Sequence, residues 1–80
     1  MRKRRGQPDI RERFGYAVKL LREERNLTQE DLADRTGIHR TYLSDIERGA
    51  RNVSLVNIER LAIALELTME QLFHRVDRCG

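Results

Sequence analysis

The chain has 80 residues, and that length holds about one small domain, which excludes a catalytic domain joined to a separate regulator. Its formal net charge of +3 is unevenly placed: Arg2, Lys3, Arg4 and Arg5 supply four of the sixteen positives, leaving twelve against thirteen negatives from residue 6 onward, formally −1. A uniformly basic globule is therefore excluded, and any contact with nucleic acid has to rest on where particular basic side chains sit.

Residues 1–8 read as a flexible basic arm, because adjacent like charges repel and Gly6 and Pro8 discourage regular structure. From Asp9 onward Ile10, Phe14, Ala17, Val18 and Leu21 recur every three to four residues, and Asp9 with Glu12 suits a capping box. Helix 1 is predicted over about 10–25, closed by Asn26. Thr28 with Asp31 opens helix 2, predicted over 29–36 and burying Leu32 and Ala33. Gly37 then supplies the positive φ of a helix end. Ile38 follows as a staple, His39 or Arg40 begins helix 3 with Leu43 and Ile46 inward, and Gly49 stops it.

Ser54 caps helix 4, whose stripe of Leu55, Ile58, Leu61, Ala62 and Leu65 faces inward, with Glu59 and Arg60 opposite. Ile63 and Leu67 lie off that stripe. Thr68 with Gln71 starts a short helix 5 carrying Met69, Leu72 and Phe73. No window alternates with period two, so the predicted fold class is all-α with five helices. The expected organisation is an arm at 1–8, a domain at 9–76 and a C-terminal tail at 77–80.

Residues 28–49, TQEDLADRTGIHRTYLSDIERG, carry the functional signal. Two short helices meet at a glycine turn, and Ala33 is small where they must cross. Ile38, Leu43 and Ile46 pin helix 3, whose remaining face, Arg40, Thr41, Ser44, Asp45 and Arg48, has nothing apolar to bury. That polarity suits a helix whose N-terminal residues enter a major groove.

On TQEDLA, the Gly37 turn and IERG, the chain resembles the Cro/C1-type helix-turn-helix family of bacterial and phage regulators over residues 10–73. Its R-T-Y-x-S-x-I-E-R segment followed by Arg51 and Asn52 is similar to the controller proteins of restriction-modification systems. The resemblance implies a five-helix, lambda-repressor-like DNA-binding domain that regulates transcription as a homodimer on a palindromic operator. A controller of this kind both activates and represses.

Residue by residue, it implies that Gln29 clamps a phosphate at the start of helix 2. Arg40 takes the first base-reading position, where pairing with guanine O6 and N7 is worth ~1–3 kcal/mol of discrimination. Thr41 and Ser44 follow it along the base edges, and Arg48 is the base reader past the helix end. Arg51 and Asn52 meet the DNA backbone. Tyr42 either packs against helix 2 with its hydroxyl in water or contacts a phosphate at the groove edge. Asp45 is assigned no contact, because it repels DNA unless a cytosine or a neighbouring arginine pairs with it.

The same resemblance places Glu47 opposite Arg22 as an internal ion pair. Glu30 and Asp34 match positions through which lambda-type repressors touch the polymerase sigma subunit, although most acidic helix faces are simply solvated. One small module reads too few base pairs to find a genomic site, so two copies are expected. Ile63, Leu67, Leu72 and Phe73, with Val76, offer the apolar surface for pairing, though Leu72 and Phe73 equally suit the monomer core.

Other classes find little support. Cys79 is a lone cysteine beside only His39 and His74, so no intrachain disulfide or four-ligand structural zinc site is expected. No nucleophile, base and orienter recur at workable spacing and no Gly-rich phosphate loop appears, so no enzyme, cofactor or small-molecule ligand is expected. No apolar run approaches a membrane span, and a cytoplasmic setting is expected. The alternative is an antitoxin-like interaction module that autoregulates its promoter. Antitoxins usually carry a longer disordered segment than the seven residues after Phe73.

Overall fold

Among residues 8–79, which the computed structural model describes, the chain forms five α-helices and no strand. They are α1 (Ile10–Glu24), α2 (Gln29–Thr36), α3 (Arg40–Glu47), α4 (Leu55–Ala64) and α5 (Met69–Arg78). The expected basic arm, up to residue 7, lies outside the described residues, as does residue 80.

Local chemistry starts each helix. Asp9 caps α1 by accepting from the Arg11 amide at 2.8 Å. Thr28 and Asp31 exchange two bonds, at 3.0 and 2.9 Å, across the first turn of α2, and Thr68 with Gln71 repeats that box at α5. Ser54 accepts from the Asn57 amide at α4. At α3 the cap is His39, whose Nδ1 accepts from the Thr41 amide at 3.1 Å. Asn26, Gly37 and Gly49 take positive φ at the ends of α1, α2 and α3, as their residue types suggest. Glu66 does the same after α4 at φ 61°, which its residue type does not announce.

Packing joins α1 to α3 and α5, α2 to α3 and α4, and α4 to α5. Val18, Leu21, Leu32, Leu43, Ile46, Leu61, Leu65, Leu72 and Val76 are fully buried between them. Removing each such side chain from water is worth ~1.5–3 kcal/mol, which is how a sequence only 39% hydrophobic sustains a core. Gly15 decides where α1 meets α3: a Cβ there would stand 2.1 Å from the Ile46 carbonyl oxygen. The α1 backbone therefore rests directly on the last turn of α3.

Three expectations change. Leu72 and Val76 are wholly inside the core and present no surface for a second copy, because α5 packs on α1 as well as α4. The tail expected from residue 77 is helical to Arg78, and Cys79 is buried with its amide donating to the Val76 carbonyl. Leu55, read as inward, is 74% exposed. Full burial in α4 is confined to Leu61, Ala62 and Ala64, so its first turn projects past the neighbours that its stripe was expected to face.

Candidate nucleic-acid interface

The turn between α2 and α3 is held by Thr36, which is buried. Its hydroxyl oxygen lies 3.0 Å from both the Leu32 and Ala33 carbonyls and accepts from the Ile38 amide at 3.1 Å. With Gly37 at φ 74°, this fixes the angle at which α3 leaves the body. Leu43, Ile46 and the preceding Ile38 are buried, which leaves the opposite face of α3 outward. On it Arg40, Thr41 and Arg48 are exposed and Ser44 is half-buried. Arg51 and Asn52 are exposed just beyond the end of the helix.

Beneath this face lies the ion pair expected between α1 and α3. Arg22 donates to Glu47 twice, Nε at 2.7 Å and Nη2 at 3.0 Å, and its Nη1 donates to the Leu27 carbonyl at 2.8 Å. The Glu47 side chain is 4% exposed. Hydrogen bonding to Glu47 pushes the Arg22 pKa above its ordinary value, against the opposing effect of burial. Glu47 Oε1 also accepts from Gln29 Nε2 at 3.0 Å, so the first residue of α2 is oriented by the same carboxylate. One buried pair thus ties together α1, the start of α2 and the end of α3.

Asp45, expected to repel DNA unless a cytosine or a neighbouring arginine pairs with it, meets arginine. Its carboxylate pairs with the Arg48 guanidinium and accepts from Arg51 at 3.1 and 3.2 Å. The Arg51 guanidinium carbon stands 5.1 Å from the centre of the Tyr42 ring, a cation–π contact. Tyr42 itself is half-buried against the core, so the packing reading of that residue describes its ring. The i,i+3 spacing of Asp45 and Arg48 was the one available signal for this cluster. His39, an uncommon N-cap residue, and Gly15, an ordinary-looking helical glycine, gave no such warning.

The turn, the outward polar face of α3 and the buried pair beneath it are the geometry of a helix-turn-helix, and residues 18–72 match the helix-turn-helix family. The chain belongs to that family, of Cro/C1 type. Members of this family are DNA-binding transcriptional regulators, and the curated relatives here include restriction-modification control proteins. The chain is 45% identical over 71 residues to the control protein C.MunI of a Mycoplasma species, an alignment covering 88% of this chain and 96% of that one. Its fold is similar to that of the restriction-modification controller protein C.AhdI from Aeromonas hydrophila, with a TM-score of 0.76 and 46% identity over 79% of this chain and 96% of that one. It is also similar to the controller protein C.Esp1396I, solved as a tetramer in complex with its natural 35 base-pair operator. That likeness has a TM-score of 0.82 and 30% identity, covering 90% of this chain and 95% of that one.

The site residues divide by position. Arg40, Thr41, Ser44 and Arg48 lie along or at the end of one helix, and Gln29, Tyr42, Arg51 and Asn52 lie on or beside α2 and α3. Glu30 and Asp34 are exposed on α2, and among the described residues neither forms an ion pair. Of the apolar residues expected to pair two copies, Ile63 is 68% exposed, Leu67 and Phe73 are half-buried against the core, and Leu72 is internal. Leu55 and Val56 add exposed apolar surface on α4 that the helical stripe had not suggested. Among the described residues no helix is long and apolar enough to cross a membrane.

Proposed function

We propose that this protein is a homodimeric, operator-binding regulator of the restriction-modification controller type. The observation that carries the reading is the outward face of α3, with Arg40, Thr41, Ser44 and Arg48 presented for base edges. Gln29, Tyr42, Arg51 and Asn52 are the backbone contacts that seat it. Gln29 is well suited to that task, because its amide is already oriented by Glu47 and it sits at the amide-rich start of α2.

Two copies pair through the exposed part of α4, Leu55, Val56 and Ile63, together with the partly covered Leu67 and Phe73. Isolated apolar side chains on a surface are ordinary, but three large ones on one short helix favour a partner. The C.Esp1396I tetramer on 35 base pairs supports a multi-copy arrangement on DNA. Pairing through α4 sets the two recognition helices about one helical turn of DNA, ~34 Å, apart on a two-fold site. Acting on DNA places the protein in the cytoplasm with the nucleoid.

Dual control is the finer part of the reading. Repression follows from occupying a promoter, and activation from Glu30 and Asp34, whose carboxylates are free to meet the polymerase sigma subunit. In vitro selection from random duplexes, followed by mobility shifts and sedimentation, tests the whole proposal. A selected palindrome bound by a dimer is the expected outcome. Recovery of no preferred sequence, or a monomer at micromolar concentration on and off DNA, overturns it. Reversing both Glu30 and Asp34 is expected to abolish activation with operator binding intact, and parallel loss of both rejects the sigma contact.

A further inference from the structure

Two arginines assigned to DNA in the reading above, Arg48 and Arg51, share one carboxylate. Asp45 pairs with Arg48 through Oδ1, and through Oδ2 with Arg51 Nε at 3.2 Å and Nη2 at 3.1 Å. The Asp45 side chain is 16% exposed, whereas both guanidinium groups are well exposed, so the carboxylate lies beneath the two cations. Arg51 is held from a second side by the Tyr42 ring. Two guanidinium charges and one carboxylate leave the cluster at +1 instead of +2.

We infer that Asp45 is a specificity-determining positioning residue: it fixes the poses of Arg48 and Arg51 and withholds one unit of their charge from non-cognate DNA. This rests on the DNA-binding reading. Random duplex is held mainly by counterion release, each neutralised phosphate adding ~0.9 to the slope of log affinity against log salt. A cluster at +1 supports about one such contact fewer than two free arginines. On the operator the same side chains start from a fixed pose, so less rotamer freedom is lost when they dock. The carboxylate therefore weakens binding to every sequence but returns part of that loss only where the pose fits.

The test uses the full chain and two duplexes of equal length, the selected operator and a scrambled one, across a range of salt concentrations. Asp45→Asn keeps the shape and removes the charge. Its affinity for the scrambled duplex is expected to rise about eightfold at 0.1 M salt, the value of one added phosphate contact, with the salt slope steeper by ~0.9. Operator affinity is expected to change less than about threefold, because regained charge is offset by lost positioning. Asp45→Glu, which keeps the charge, is expected to retain the parent's slope on the scrambled duplex.

Equal gains on both duplexes overturn the inference, as does an unchanged slope or a loss on both. Melting of Asp45→Asn with the parent's midpoint verifies that the readout concerns binding. If the parent chain itself does not distinguish the two duplexes, the operator-binding reading fails first. If the parent does distinguish them and the variant shifts both equally, only the role of Asp45 is rejected.

Discussion

Glu47 and Asp45 stand two residues apart on α3, and each carboxylate holds arginine, yet their physical roles differ. Residues at that spacing point to different sides of a helix. Glu47 faces α1, where its side chain is 4% exposed and both of its oxygens are used. Asp45 lies on another side of α3, 16% exposed beneath the well-exposed Arg48 and Arg51 side chains. A buried pair whose partner is removed leaves an uncompensated charge, whereas an exposed pair is worth little to stability. The contrast shows that the same pairing of carboxylate with arginine locks one face of a short helix into the core and leaves the charges of the other face at the surface.

The strongest test of that contrast is Glu47→Ala, which is expected to cost ~3–5 kcal/mol and to unfold much of the population at moderate temperature. Asp45→Ala is expected to cost less than ~1 kcal/mol in the same melting experiment. Equal midpoints for the two variants would break the comparison. Combining Arg22→Met with Glu47→Leu is expected to recover most of the lost stability, because both charges leave the interior together. DNA affinity should stay reduced in that double variant, since Gln29 loses the carboxylate that orients it.

Gly15→Ala probes the backbone contact that supports the buried side of α3. The added methyl would meet the Ile46 and Glu47 carbonyls, and forcing the helices apart is expected to cost ~1–3 kcal/mol by chemical denaturation. A gain in stability, as ordinary helix propensity predicts for Gly to Ala, would mean the two helices separate freely.

Arg40→Ala addresses the outward side. It is expected to lose ~1–3 kcal/mol of discrimination at one guanine of each half-site while leaving the melting midpoint unchanged. A uniform loss across all sequences would instead make Arg40 a phosphate contact.

The smallest effect concerns acid. Hydrogen bonding from Arg75 holds the Glu24 carboxyl below its ordinary value, and the Thr28 amide does the same for Asp31. Depressed carboxyls contribute stability above their unfolded pKa values, near 4.5 and 3.8, and that contribution is lost as pH falls through the lower folded values. Both groups are exposed, so a small decline in melting midpoint is expected below about pH 4.5. Glu24→Gln is expected to flatten part of it.

The helices were legible because their ends are written in local chemistry. Thr28 with Asp31, Thr68 with Gln71, Ser54, Asn26, Gly37 and Gly49 each act through neighbours a few residues away, and all of them stand where their residue types indicate. His39 was less legible, since imidazole is a rarer cap than a hydroxyl or carboxylate. The outward face of α3 was readable for the same reason as the helices, from polarity at helical spacing. The family resemblance supplied the Arg22–Glu47 pair, which no spacing over 25 residues reveals.

By itself, then, the sequence determined five helices, a glycine turn and a polar outward face on α3, because caps and periodicity depend on short-range contacts. Tertiary structure alone decided that Leu72 is core and Leu55 is surface, although both sat on apolar stripes. Periodicity states which side of a helix is apolar, but not how far along its length a neighbour covers it. Tertiary structure also closed Asp45 onto Arg51, whereas its pair with Arg48 lies within one helical turn. Its bond to Arg51 spans the turn at Gly49, whose path depends on how α3 ends against α1.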